Sequence, residues 1–96
     1  MTMTCTGAEP RFLTGLVCVT TAADKAVVPE DIQNALARHE RGDWGEVCPE
    51  DGDRNEMALI QGGGFHSVYH DRKGVEFWVI TEADRSVTTV LLPDDY

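Results

Sequence analysis

The chain has 96 residues, 42% of them apolar, and carries 17 acids against 8 bases, a net charge of −9. That length makes one domain with a modest core that folds without metal or disulfide help. The charge argues against direct binding of DNA or RNA and against an anionic membrane surface, and permits a basic partner.

No run approaches the roughly 18 apolar residues of a membrane span. Residues 1–11, MTMTCTGAEPR, lack the basic start and apolar stretch of a secretory signal. They read as a short flexible lead-in, and the compartment as cytoplasm. Phe12 to Thr20, FLTGLVCVT, is a candidate first strand, with Cys18 expected as a buried reduced thiol. Cys5, Cys18 and Cys48 are odd in number and unclustered, so no zinc site is expected. Ala22 to Val28 reads as a connection.

Pro29 fits the first turn of a helix, where its missing N–H costs nothing. Glu30 and Asp31 suit the positive end of the helix dipole, and Arg38 and Arg41 the negative end. Ile32, Ala35, Leu36 and His39 share one side, and the helix should stop near Gly42. Gly42-Asp43-Trp44-Gly45 reads as a tight turn. Its indole has two readings, a core anchor under the sheet or an exposed anchor for a partner. A loop from Glu46 to Asp53 is expected next. Asn55 to Gln61 then reads as a short second helix capped by Asp53 or Asn55. Gly62-Gly63-Gly64 follows a helix and precedes a strand, the reverse of a phosphate loop.

Phe65 to Leu92 holds three apolar, β-branched and aromatic runs with two polar turns, Asp71–Gly74 and Glu82–Arg85. This is the pattern of a three-stranded antiparallel meander. Phe65, Ser67 and Tyr69 should point one way and His66, Val68 and His70 the other. Val75, Phe77 and Val79 share a face opposite Glu76, Trp78 and Ile80. Both faces of this middle run are largely apolar, which predicts cover on both sides. The fold class is therefore α+β: a mostly antiparallel sheet of about four strands, in the order strand-helix-helix-strand-strand-strand, with two helices packed on one face.

Asp51-Gly52-Asp53-Arg54-Asn55 opens like a calcium loop, but the glycine and glutamate that the pattern needs later are missing. His66 and His70 lie about 13 Å apart along one strand face, too far to share a metal. No cofactor or metal is expected. Either histidine as a general base, with Arg85 to hold phosphate, would suit a small ribonuclease-like enzyme built from helices and an antiparallel sheet. A third option is an accessory protein that pairs through an open sheet edge.

The feature of most weight is acidic. From Glu40 to Glu56 there are seven acids against two arginines, with Asp94 and Asp95 as a second cluster. Beyond keeping the protein soluble, such a surface imitates nucleic-acid phosphate and fits the basic groove of a partner. Glu40, Asp43, Glu46, Glu50, Asp51 and Asp53 are the expected contact residues, with Trp44 or Tyr96 as an apolar anchor.

The segments ALARHERGDWGEVCPED (Ala35 to Asp51) and FWVITEADRSVTTVLLPDDY (Phe77 to Tyr96) resemble short "plasmid-related" proteins of bacterial mobile elements. The resemblance implies a mobile-element setting, in which small acidic inhibitors of host defence, anti-CRISPR and anti-restriction proteins among them, are frequent. The expectation is a non-enzymatic binding protein. It would occupy the basic nucleic-acid-binding surface of a defence complex without touching nucleic acid or membrane itself.

Overall fold

A computed structural model describes residues 11–96; of the lead-in expected over residues 1–11, all but Arg11 lies outside them. The elements run β1 (Leu16–Val19), α1 (Thr21–Ala26), α2 (Pro29–Glu40), α3 (Pro49–Gln61), β2 (Phe65–His70), β3 (Glu76–Thr81) and β4 (Val87–Leu91). A 3-10 turn, Pro93–Asp95, follows. The sheet order is β1-β4-β3-β2. The meander pairs antiparallel as expected, Phe65 with Thr81 and Val79 with Val90. β1 joins the far side of β4 in parallel, Leu16 beside Val87. The fold is α+β and mostly antiparallel.

Alternation sorts the meander into two unlike faces. Phe65, Ser67, Tyr69, Phe77, Val79, Thr81, Thr88 and Val90 are all buried. Ala23 and Val27 of the first helical turn region and Ile32 and Ala35 of α2 pack on Tyr69, Phe77, Val79 and Val90. A second cluster joins Ala58 of α3, Trp44 and Phe65, with Phe12 and Val47 against it. Trp44 stacks on Phe65 at 5.3 Å and Phe12 tilts on Phe65 at 4.2 Å. The helices thus gather on one face. The opposite face holds half-buried His66, Val68, Trp78, Ile80 and Thr89; among the described residues no helix lies across its centre, and the start of α3 flanks it at His66. Tyr96 reaches this face from the C-terminal turn, meeting the Trp78 ring at 5.6 Å. The expected cover on both sides of β3 is therefore corrected: one side is packed and the other is open.

The connection expected over Ala22–Val28 is helical as far as Ala26, because the Thr20 hydroxyl caps α1 by accepting from the Ala23 N–H at 3.1 Å. α3 begins at Pro49 rather than Asn55. Its cap residue, Cys48, makes no side-chain bond, and the start is set instead by Pro49 with Glu50 and Asp51 in the first turn. The segment expected as an acidic loop over 46–53 is thus largely helix, which also removes the calcium-like loop. At the other end, Arg85 replaces the basic residue that α3 lacks in its last turn. Its guanidinium donates to the carbonyls of Ala58 and Gly63 and lies 4.2 Å over the Phe65 ring.

The edge strand β2 is closed. The Asn55 amide donates to the His66 carbonyl at 2.8 Å and accepts from the His66 N–H at 3.1 Å. Two residues on, Val68 donates to the Trp44 carbonyl and accepts from the Glu46 N–H. At His66 and Val68 the main-chain groups that would template another strand are thus taken up within the chain. Replacing Asn55, 3% exposed, by alanine should cost about 1–3 kcal/mol. A urea midpoint unchanged in that variant would show that the clamp contributes nothing.

Candidate functional site

The open face is built by the pleat of β2 and β3. Val68 lies beside Trp78, and His66 beside Ile80, in register. The His66 and Trp78 rings meet edge to face at 4.6 Å. The result is a strip of half-exposed apolar and aromatic side chains across the sheet, Val68, Trp78 and Ile80, continued by Tyr96.

Carboxylates stand at both ends of this strip. At one end His70 Nδ1 lies 2.8 Å from Glu46 and its Nε2 lies 3.6 Å from Glu76. Glu76 also accepts from the Trp78 indole N–H at 2.9 Å. At the other end a half-open cleft of about 370 Å³ lies between α3 and the β3–β4 turn, lined by Asp51, Arg54, His66, Ile80, Glu82 and Tyr96 among others. Asp51 pairs with Arg54 there at 3.0 Å. His66 Nε2 is buried without a partner among the described residues, and burial holds that ring below its ordinary pKa. His66 is therefore neutral near pH 7.

The acids expected as contacts fall in four places. Asp43 is tied to Arg38, which keeps its carboxyl below the usual range, and it also receives the Gly45 N–H. Glu46 reaches the open face through His70. Glu50, Asp51 and Asp53 stand on the first turns of α3, and Glu40 ends α2. Glu56, outside the expected set, binds Arg11 and the Trp44 indole N–H, which lower its pKa. Trp44 itself is only 7% exposed. Of its two roles the core anchor is realised, and Trp44 is withdrawn as a contact residue. Trp78 was legible as the alternative: it alternates with Phe77 and so shares a face with Glu76 and Ile80.

The groups of the catalytic alternative do not converge. His66 and His70 lie on the open face. Arg85 lies on the helix side, over Phe65, with its N–H groups given to carbonyls. On that side the third histidine, His39, is completely buried between Ser67 at 2.6 Å and Thr81 at 2.8 Å. Its resemblance to a Ser-His pair has no substrate access, since Ser67 is also fully buried.

Among the described residues no group of His, Cys, Asp and Glu is arranged to hold a metal ion, and no helix is long and apolar enough to cross a membrane. No family model matches the chain, and neither a curated protein nor a solved structure is significantly similar to it.

Proposed function

We propose that this chain is an acidic, non-enzymatic binding protein that lays its open sheet face on the nucleic-acid-binding surface of a basic partner. The observation that carries the reading is the strip of Val68, Trp78 and Ile80 with carboxylates at both ends. An apolar, aromatic centre with a charged rim is how protein interfaces are built. A net charge of −9 makes lysine- and arginine-rich surfaces the complementary partners. Glu46 and Glu76 at one end, and Asp51 and Glu82 at the other, take the place of phosphates. Glu50 and Asp53 extend the acidic surface along α3. The resemblance to mobile-element proteins points to a host defence complex, of the kind that anti-CRISPR and anti-restriction proteins inhibit, as that partner.

The test is capture of partners from a lysate carrying such defence systems, at low and high salt and with competing DNA. A nucleic-acid-binding complex, released by salt and displaced by DNA, is the expected catch. Two variants then assign the surface. Trp78→Ala should weaken binding about 30-fold or more, as loss of a central aromatic anchor does. Glu46→Lys, Glu50→Lys and Asp51→Lys together should slow association and abolish the salt dependence. Binding that survives both changes unaltered rules the open face out.

A further inference from the structure

The two edges of the sheet are treated differently. β2 is clamped by Asn55 and by the 44–46 segment. β1, at the other edge, has no partner on its outer side among the described residues. Leu16 and Thr20 donate their N–H groups to β4, at Ser86 and Val90. By alternation Cys18 faces β4 as well, and the N–H and C=O of Val17 and Val19 point outward. All four strand residues are exposed, Leu16 at 66% and Val17 at 41%, and Leu13 beside them at 79%. None of the usual guards of an edge is present: no lysine, no proline, no inward charge.

We propose that the occupant of this edge is a second copy of the chain, the two β1 strands pairing antiparallel about a two-fold axis at Cys18. The sheet would then run on from one copy into the other. Register selects this axis. With Cys18 opposite Cys18 of the second copy, Val17 meets Val19 twice, and all four outward N–H groups find outward carbonyls. Moving the axis to Val19 sets Val17 against Thr21, which is already helical. Charge selects the occupant. Phe12 to Ala23 is twelve residues without a charge. A basic partner gains nothing at this edge, and the repulsion between two acidic copies is weakest there. Area sets the strength. Stable pairs bury about 800 Å² per partner, and one four-residue strand with its neighbours supplies less. The dimer is therefore weak, with a dissociation constant on the order of 10–100 µM.

This pairing is independent of the open-face reading, and the salt response separates them. Screening should strengthen a dimer of like-charged copies and weaken a complex with a basic partner. Sedimentation equilibrium of the full chain from low micromolar to millimolar concentration should show monomer passing to dimer, further toward dimer at high salt. Val17→Pro removes one outward N–H without touching the bonds to β4, and Val17→Lys adds a charged guard. Both should leave the molecule monomeric with unchanged circular dichroism. In a variant with Cys5→Ser and Cys48→Ser, diamide should join Cys18 to Cys18 in a concentration-dependent way. It takes up the two electrons and two protons released by the thiols. A facing non-hydrogen-bonded pair puts the Cα atoms about 4.5 Å apart, within disulfide reach. A monomer throughout the concentration range overturns the proposal. So does a dimer that persists in both Val17 variants, or one in which Cys18 resists cross-linking.

Discussion

Lowering the pH from 7 to 4 is expected to cost the fold about 3 kcal/mol through His39 alone. The ring is fully buried, and burial pulls its pKa from 6.5 down to about 4. Its hydrogen bonds explain why the neutral form fits. Thr88 donates to the Thr14 carbonyl at 2.8 Å. Thr88 Oγ1 is then left to accept from Thr81 at 2.7 Å. Thr81 in turn accepts from His39 Nε2–H, and Nδ1 accepts from Ser67. One neutral tautomer satisfies every member of the chain, whereas a second ring proton would point at the Ser67 hydroxyl and force it to turn.

The direction follows from the depressed value. Well above pH 6.5 neither folded nor unfolded chain protonates this ring, and the stability is whole. Between 6.5 and 4 the unfolded chain takes a proton that the folded one refuses, so stability falls as the pH falls. His66, also held low by burial, adds to the slope. The paired carboxylates Asp43 and Glu56, held below their usual range, are lost at lower pH still. Urea titrations at half-unit steps should show this slope, and His39→Met should flatten it while lowering stability at pH 7 by about 2–3 kcal/mol. A wild-type stability that is level from 6.5 to 4.5 would sink the account. So would an imidazole resonance of folded His39 that titrates near 6.5.

How far the residues announce this structure depends on whether a local pattern had a local cause. The meander was legible because its alternation of Phe65, Ser67, Tyr69 against His66, Val68, His70 is the pleat itself. The helix from Pro29 was legible because proline, acids and a four-residue apolar spacing agree. His39 was placed on the buried side by that spacing. Its hydroxyl partners, on strands 28 and 42 residues away, left no sign. α3 was shortened because Gly52 and three acids resemble a loop, while the start signal at Pro49 lacks a capping side chain. The apolar run around Cys18 predicts a buried thiol, yet an edge strand paired on one side leaves LVCV exposed, Cys18 included. Which of two apolar faces receives the helices is set by what packs on them. Period alone gives both faces of β3 equal claim: Trp44 takes the first of its two readings, under the sheet, whereas Trp78, on a face expected to be covered, lies half-exposed.

Gly45→Ala is expected to be among the most damaging single-methyl changes, costing about 3 kcal/mol or more. Gly45 sits at φ +72°, and a Cβ there would lie 2.0 Å from the Val68 carbonyl oxygen and 2.8 Å from the Tyr69 ring. The backbone at that point is bridged to Val68, so the new methyl has rigid main chain in front of it. Relief requires the 44–46 segment to leave the edge of β2. That breaks the Val68–Trp44 and Glu46–Val68 hydrogen bonds and draws Trp44 off Phe65. It also moves the Asp43 carbonyl that accepts the Tyr69 hydroxyl at 2.6 Å. Glu46 would swing away from His70, so the rim of the open face would lose a carboxylate together with the edge clamp. Gly62 supplies the control. It too has positive φ, +90°, but nothing lies within 4 Å of an added Cβ. Gly62→Ala should therefore cost only the backbone strain, about 1–2 kcal/mol. The difference between the two variants measures the close approach of the 44–46 segment to β2. Equal urea midpoints for the two would mean that this segment yields without loss, and that the edge of β2 is held by Asn55 alone. A large difference, with amide exchange accelerated at Val68 in Gly45→Ala only, would place the clamp and the acidic rim in one cooperative unit.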